Sequence, residues 1–297
     1  MTTPQPTDTS KRDNRFVADP NSGETMAWLI NADAILNRGM GGALGTDLSE
    51  RLSRIYRERK APVHILDIAC GPGGWVIEVA GEHPEYEVTG VDIGQPMIDY
   101  ARSLAKVRGF DNAHFSRMDV LKPLDFPNEA FDLVNARTLF GFMSPDTWPQ
   151  LLGECLRITR PGGIIRLTEL EAPVTTSPAL NWLWDVASRS LFITGRSFSP
   201  DGRHIGIIAV LKRLLREAGY RHVSHKEYAY DLADPEQRES FRQHWMIAFT
   251  LIQPFHVGSG ATTEEEYTMH YQQMLAEMLA DDFDGIWLYL SAIGTKG

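Results

Sequence analysis

Apolar and polar positions between residues 61 and 171 fall into short repeating units. The run VHILDIA (63–69) is apolar over strand length and stops at the turn Cys70-Gly71-Pro72-Gly73-Gly74, after which WVIEVAGEH takes up helical spacing. YEVTGVD (86–92), NAHFSRMD (112–119), FDLVNAR (131–137) and GGIIRLTELE (162–171) read as further strands, with helices expected at Gln95–Arg108 and Asp146–Thr159. Strands alternating with helices predict an α/β fold: an open, mostly parallel sheet of seven strands with helices on both faces. Ligands of such sheets sit at the carboxyl ends of the strands.

The flanking segments have a different rhythm. Residues 1–20 are read as a flexible tail, since the first fifteen are polar and Thr/Pro-rich and lack the apolar stretch of a signal peptide. Residues 21–60 predict two helices broken at Gly39, Gly41 and Gly42, a helical cap preceding the ligand-binding core at 61–171. A Trp-rich lid insertion follows at 172–204, and the core resumes at 205–234 with a helix through AVLKRLLREAG and a strand at YRHVSHKEYAYDL. A second insertion at 235–282 reads as helical in two pieces, split by Pro254 and the Gly258–Gly260 loop, and 283–297 supplies a closing strand, GIWLYLSAIG.

Composition narrows the partners more than the fold. Lys and Arg total 29 against 39 Asp and Glu, a formal charge of −10, which works against a polyanionic partner such as nucleic acid. No apolar run reaches the ~18 residues of a membrane helix. Cys70 and Cys155 are the only cysteines and lie far apart, which offers no disulfide framework and fits a reducing, cytoplasmic setting.

The glycine turn after the first strand lets backbone approach a ligand closely, although glycines also build ordinary turns. Asp92 ends the second strand about 20 residues further on, where an acidic residue accepts hydrogen bonds from ribose hydroxyls. Val76 stands where a dinucleotide fingerprint needs its third glycine. That substitution favours a ligand with one ribose and no pyrophosphate.

These residues resemble the class I S-adenosylmethionine-dependent methyltransferases, with their Rossmann-like fold, and in particular the small-molecule branch that includes the ubiquinone/menaquinone methyltransferases. ILDIACGPGG is similar to the family's first motif, GVDIGQPMIDYAR to the second, RMDV to the third, FDLVNAR to the fourth and ITRPGGIIRL to the post-core motif. The resemblance implies S-adenosylmethionine as cofactor, S-adenosylhomocysteine as product, and methyl transfer to a small molecule. Residue by residue, it implies that Asp67 orders the turn and the methionine end, with the backbone of Ala69, Gly71 and Gly73 packed close to the cofactor. It further implies Asp92 on the ribose hydroxyls, Ile93 and Met97 beside the adenine, Asp119 and the backbone of Val120 at the adenine edge, and Asn135 under the methionine portion. Ala69 departs from the glycine often found there. Asp67 and Asp119 also read as ordinary turn and strand-end carboxylates, and Met97 as core filler.

Methyl transfer from a sulfonium is a direct displacement, so a base matters only where the acceptor loses a proton. Glu169, at the end of the fifth strand, is the candidate base or orienting group; it reads equally as a partner of Arg137 or Arg166, or as a solvated carboxylate. Arg137 is a candidate for holding an anionic acceptor group. The sequence Asn135-Ala136-Arg137-Thr138 replaces the Asn-Pro-Pro-Tyr often found where amide or base nitrogens are methylated. No His or Cys spacing suits a metal, and none is expected; a single lid histidine remains a candidate base. Trp182, Trp184, Phe192, Phe198, Trp245, Phe249, Phe255 and Tyr271 concentrate aromatic surface in the insertions, which suits a flat or apolar acceptor methylated on O, N or C, or else glues the cap to the core. Two other readings stay open: a different transfer from the same cofactor, or a non-catalytic cofactor-binding subunit. The same additions could also form a homodimer interface.

Overall fold

Alternation along the central strands sorts side chains to two faces. In β1 (Val63–Ile68), Val63 and Ile65 join one apolar cluster and Leu66 and Ile68 another; in β4 (Phe131–Arg137), Leu133 joins the first and Val134 and Ala136 the second. All of these side chains are buried, as befits parallel strands covered on both faces. The computed structural model describes residues 16–297, so the part of the expected tail at 1–15 lies outside the described residues.

The remaining strands are β2 (Tyr86–Asp92), β3 (Ala113–Arg117), β5 (Thr159–Leu170), β6 (Val174–Thr175), β7 (Arg221–Asp231) and β8 (Gly285–Thr295). The sheet runs β3-β2-β1-β4-β5-β8, with β7 on the far side of β8. The first five strands pair in parallel, whereas β8 is antiparallel to both β5 and β7. The sheet thus has eight strands where seven were expected. The extra one is β6, a two-residue continuation of the β5 side that meets Ile286 and Gly285 beyond the end of β5. Strand order reverses beside β1, which opens a crevice at the carboxyl ends of β1 and β4.

One face carries α2 (Gly45–Arg59), α3 (Gly74–Glu82) and α4 (Gln95–Arg108), through Leu48, Leu52, Trp75, Val79, Ile98 and Ala101. The other carries α5 (Trp148–Ile158) and α7 (Ile207–Glu217); α7 buries Ile207, Leu211, Leu214 and Leu215, one helical stripe. Of the two helices expected before the core, only α1 (Gly23–Met40) roofs the crevice, because α2 is absorbed into the layer beneath β1. Ser22 caps α1 by accepting from the Thr25 N–H, and Gly41 ends it in the left-handed conformation. Glu78 fastens this segment to α3, accepting from Asn37 Nδ2 at 2.6 Å and the Ala43 N–H at 3.1 Å.

The insertions supply α6 (Pro178–Ile193), α8 (Pro235–Gly258) and α9 (Glu264–Glu277). The expected break at Pro254 does not occur: α8 runs through it, and the chain turns only at Ser259–Gly260. Proline removes one helical hydrogen bond, but buried Trp245, Phe249 and His256 bracket the position and hold both arms against the core. Among the described residues, no helix is long and apolar enough to cross a membrane.

Candidate active site

A cavity of about 1260 Å³ opens at the carboxyl ends of β1, β2 and β4 and extends beneath α1, α6 and α8. Of the ten residues implied as cofactor contacts, Asp67, Ala69, Gly71, Asp92, Ile93, Met97, Asp119 and Val120 line it. Gly73 and Asn135 lie just behind this wall. Gly73 has φ +80° and packs against Phe115 and Ala101, where a Cβ would stand 2.6 Å from the Phe115 ring. Asn135 is fully buried and donates Nδ2 to Asp67 Oδ1 at 2.6 Å, while its own Oδ1 accepts from Arg166 Nε at 2.6 Å.

The turn after β1 is held by carboxylates. Asp92, at the end of β2, accepts the Gly71 N–H at 2.9 Å and the Gly94 N–H at 2.8 Å, and burial raises its pKa. Asp119 accepts the Leu121 N–H at 3.1 Å and meets Lys122 Nζ at 3.3 Å. Burial lifts the Asp67 carboxyl to about 7 against the lowering pull of Arg137 and of the Asn135 amide. Ala69 adopts φ +53°, in the left-handed region that glycine enters at no steric cost. Thr138, after β4, has φ +53° in the cavity wall; a β-branched residue there is backbone strain at the site.

The amino end of α3 has no capping side chain of its own. Asp33 of α1 fills that role, its carboxylate taking the backbone N–H groups of Trp75 and Gly74 and pairing with Arg137. A helix amino end that would receive a phosphate in a dinucleotide fold is therefore occupied by a carboxylate. Arg137 also donates to Asn37 Oδ1 at 2.7 Å, so both hydrogen-bonded ends of its guanidinium are held from α1.

Glu169 is not among the cavity-lining residues. It is 1% exposed, and its Oε1 accepts the Leu139 N–H at 2.7 Å, fixing the loop that forms the wall. Burial raises its carboxyl to about 8. Neither Arg137 nor Arg166 pairs with it; Arg166 instead donates to Asn135 and to the carbonyls of Ala43 and Leu44. Glu171 points away from the cavity too, accepting the N–H groups of Ile205 and Gly206.

Beyond the β1 turn the wall becomes aromatic. Trp184, Trp245, Phe249 and Phe255 reach it from the insertions, whereas Trp182 stacks on His270 at 3.9 Å and Phe192, Phe198 and Tyr271 lie outside. The sequence reading missed Trp28 on α1 and Trp287 and Tyr289 on β8; the i, i+2 spacing of the last two was the available signal. It also assigned residues 16–20 to a tail, yet Phe16, Val17, Ala18, Asp19 and Pro20 line the cavity and Phe16 stacks on Trp28 at 6.1 Å. Of the histidines, His244 and His256 line the cavity; burial lowers them to about 4 and about 3, so both are neutral near pH 7. Among the described residues no group of acidic, His or Cys side chains could hold a metal ion.

Residues 65–163 match the family described as a methyltransferase domain. The demethylmenaquinone methyltransferase of Thermus thermophilus is 36% identical over 153 residues, which cover 51% of this chain and 66% of that protein. That of Deinococcus radiodurans is 32% identical over 142 residues, covering 48% and 56% respectively. The chain therefore spans between half and two thirds of the length of these curated relatives. Among solved structures, the YcgJ protein of Bacillus subtilis superposes with a TM-score of 0.50 at 15% identity, over 84% of this chain and 98% of that one, a likeness of fold. Residues 65–163 thus carry a methyltransferase domain, similar in sequence to the demethylmenaquinone methyltransferases and set in a sheet of the same fold as YcgJ.

Proposed function

We propose that this protein transfers the methyl group of S-adenosylmethionine to an O, N or C nucleophile of a small, largely apolar or aromatic metabolite. The observation that carries this reading is a single cavity, with Asp67, Asp92 and Asp119 at one end and an aromatic wall at the other. The donor set suits the cofactor. Asp92 keeps free lone pairs on both oxygens for a ribose diol, Ile93 is 51% exposed beside Met97 as an apolar face for a purine, and Asp67 offers a carboxylate to a cationic methionine end. Asp33 closes the helix amino end to a pyrophosphate.

The bound sulfonium supplies an activated methyl group. The chain's part is to align the nucleophile with it and exclude water; in well-oriented reactions this is worth up to ~7–11 kcal/mol. Phe16, Trp28 and the α6 and α8 rings close the cavity for that purpose. Glu169 takes the part of a positioning residue that fixes Leu139, instead of a base. Trp28 Nε1 donates to His244 Nε2 at 3.3 Å, which occupies the lone pair a histidine base would need. No metal enters this reading.

Calorimetric titration with S-adenosylmethionine, S-adenosylhomocysteine and nicotinamide dinucleotides, on wild type and Asp92→Ala, tests the proposal. Saturable binding of the sulfur nucleosides alone, weakened in the variant, is expected. A folded protein that binds neither would end the reading. A homodimer through the helical additions is a separate question: of the eight rings singled out there, only Phe192 is exposed, and light scattering of the purified chain settles the state.

A further inference from the structure

Residues 16–20 form a strap across the cavity, seated between two glycines. At one end, a Cβ on Gly141 would stand 2.9 Å from the Phe16 ring and 3.7 Å from Val17 Cγ2; at the other, a Cβ on Gly94 would stand 3.2 Å from the Pro20 carbonyl oxygen. Gly141 has no positive φ, so its backbone is open to any residue, and the Phe16 ring is what a side chain there would meet. Gly94 follows β2 and Gly141 follows β4, and β1 lies between those strands in the sheet. The strap therefore passes across the end of β1, and all five of its residues line the cavity.

The strap and the helix it leads into are held in different ways. An ion pair and hydrogen bonds tie α1 to the body, from Asp33 and Asn37 to Arg137 and from Asn37 to Glu78. Among the described residues, nothing in 16–20 is hydrogen-bonded beyond Ser22; the bonds there are those of Asp19 with Asn21 and Ser22, in the turn that enters α1. Apolar contact holds the rest, with Phe16 stacked on Trp28 at 6.1 Å and 25° between the planes, and lying against Gly141. A segment with few hydrogen bonds opens at a lower free energy than the elements around it. We infer that residues 16–20 are a gate, hinged at the Asp19–Ser22 turn and latched by Phe16 between Trp28 and Gly141, and that S-adenosylmethionine and its product pass only when Phe16 is released. This rests on the methyltransferase reading of the same cavity and adds a moving part to it. The Pro20 end of the gate lies beside Gly94, next to Asp92 and Ile93 in the cavity wall. Spent cofactor must leave that end once per turnover, and a step of this kind can set kcat.

Stopped-flow tryptophan fluorescence of the full chain mixed with S-adenosylhomocysteine gives the association and dissociation rates, with Trp28 as the ring against the latch. Phe16→Ala removes the latch, whereas Gly141→Ala pushes the ring off its seat with Phe16 still present. Each variant is expected to raise both rates together by about three- to tenfold, as for the loss of one aromatic contact, while Kd stays within about twofold. A residue that only walls the cofactor site would raise the dissociation rate alone and weaken Kd, and a loosened fold speeds no association. Faster dissociation without faster association therefore overturns the gate, and where one variant does not fold the other decides. Binding of S-adenosylhomocysteine at wild-type rates in both variants defeats the gate and spares the methyltransferase reading. A folded wild type that does not bind it defeats that reading, and the gate with it.

Discussion

Cofactor affinity should follow the titration of Asp67. In the free protein burial holds its carboxyl to about 7, and a cationic methionine end favours the ionised form, so binding below pH 7 must release a proton. At pH 6, one unit below that value, about one carboxyl in eleven is ionised, and Kd should be about tenfold weaker than on the alkaline plateau, or ~1.4 kcal/mol. Affinity falls as pH falls, with a limiting slope of about one decade per unit. The cofactor's own α-amino group ordinarily titrates near about 7.7–8.0, so between about pH 5.5 and 7 its charge is constant and the slope belongs to the protein. Calorimetry in two buffers of different ionisation enthalpy counts the protons directly: about half a proton released at pH 7 and nearly one at pH 6. Asp67→Asn should bind more weakly and lose the slope. A folded wild type whose Kd is flat over this window, with no proton released, would show that Asp67 does not face the cationic end.

Three other perturbations follow from the same geometry. Glu169→Gln should keep cofactor binding and turnover, because the native carboxyl is protonated below about 8; a loss of about 10²–10⁴ in kcat would instead identify it as a base. That variant should also lose the part of the stability profile in which the raised Glu169 pKa destabilises the fold as pH climbs from about 4.5 toward about 8, read by thermal unfolding. Ala69→Gly, which relieves a left-handed φ of +53°, should stabilise by up to about 1 kcal/mol and raise Tm by a few degrees. Asp33→Ala leaves buried Arg137 without its carboxylate and α3 without a cap, and should cost about 3–5 kcal/mol in urea unfolding; the pair Asp33→Leu with Arg137→Met should cost much less, and equal losses would refute a charge-pair origin.

How far the sequence discloses the site depends on how local each part is. The carboxylate end of the cavity is local: a strand, a glycine turn and a helix in one stretch place Asp67, Ala69 and Gly71, and the next strand ends place Asp92 and Asp119 at the same edge. The aromatic end is not. Trp28, Trp184, His244 and Trp287 come from four segments, and only the insertion of antiparallel β8 between β5 and β7 brings them into one wall. Glu169 shows the limit of strand-end reasoning. Its position along β5 was read correctly, but the backbone donor at Leu139 draws the carboxyl behind the wall. Phe16 shows another, since nothing in a short polar context announces that it will stack on Trp28.

The pairing of β7 with β8 bears on how such a protein changes its choice of acceptor. The two strands are adjacent and antiparallel, Asp231 opposite Ile286, so residues 232–284 are the connection of a single β-hairpin, enlarged to contain α8 and α9. Closing a longer connection costs little, about 0.6 kcal/mol for each doubling. The hairpin's ladder is indifferent to what the connection contains. Evolution can therefore exchange this segment, with its His244 and Trp245, as a unit, while the five parallel strands and the carboxylates at their ends stay in place.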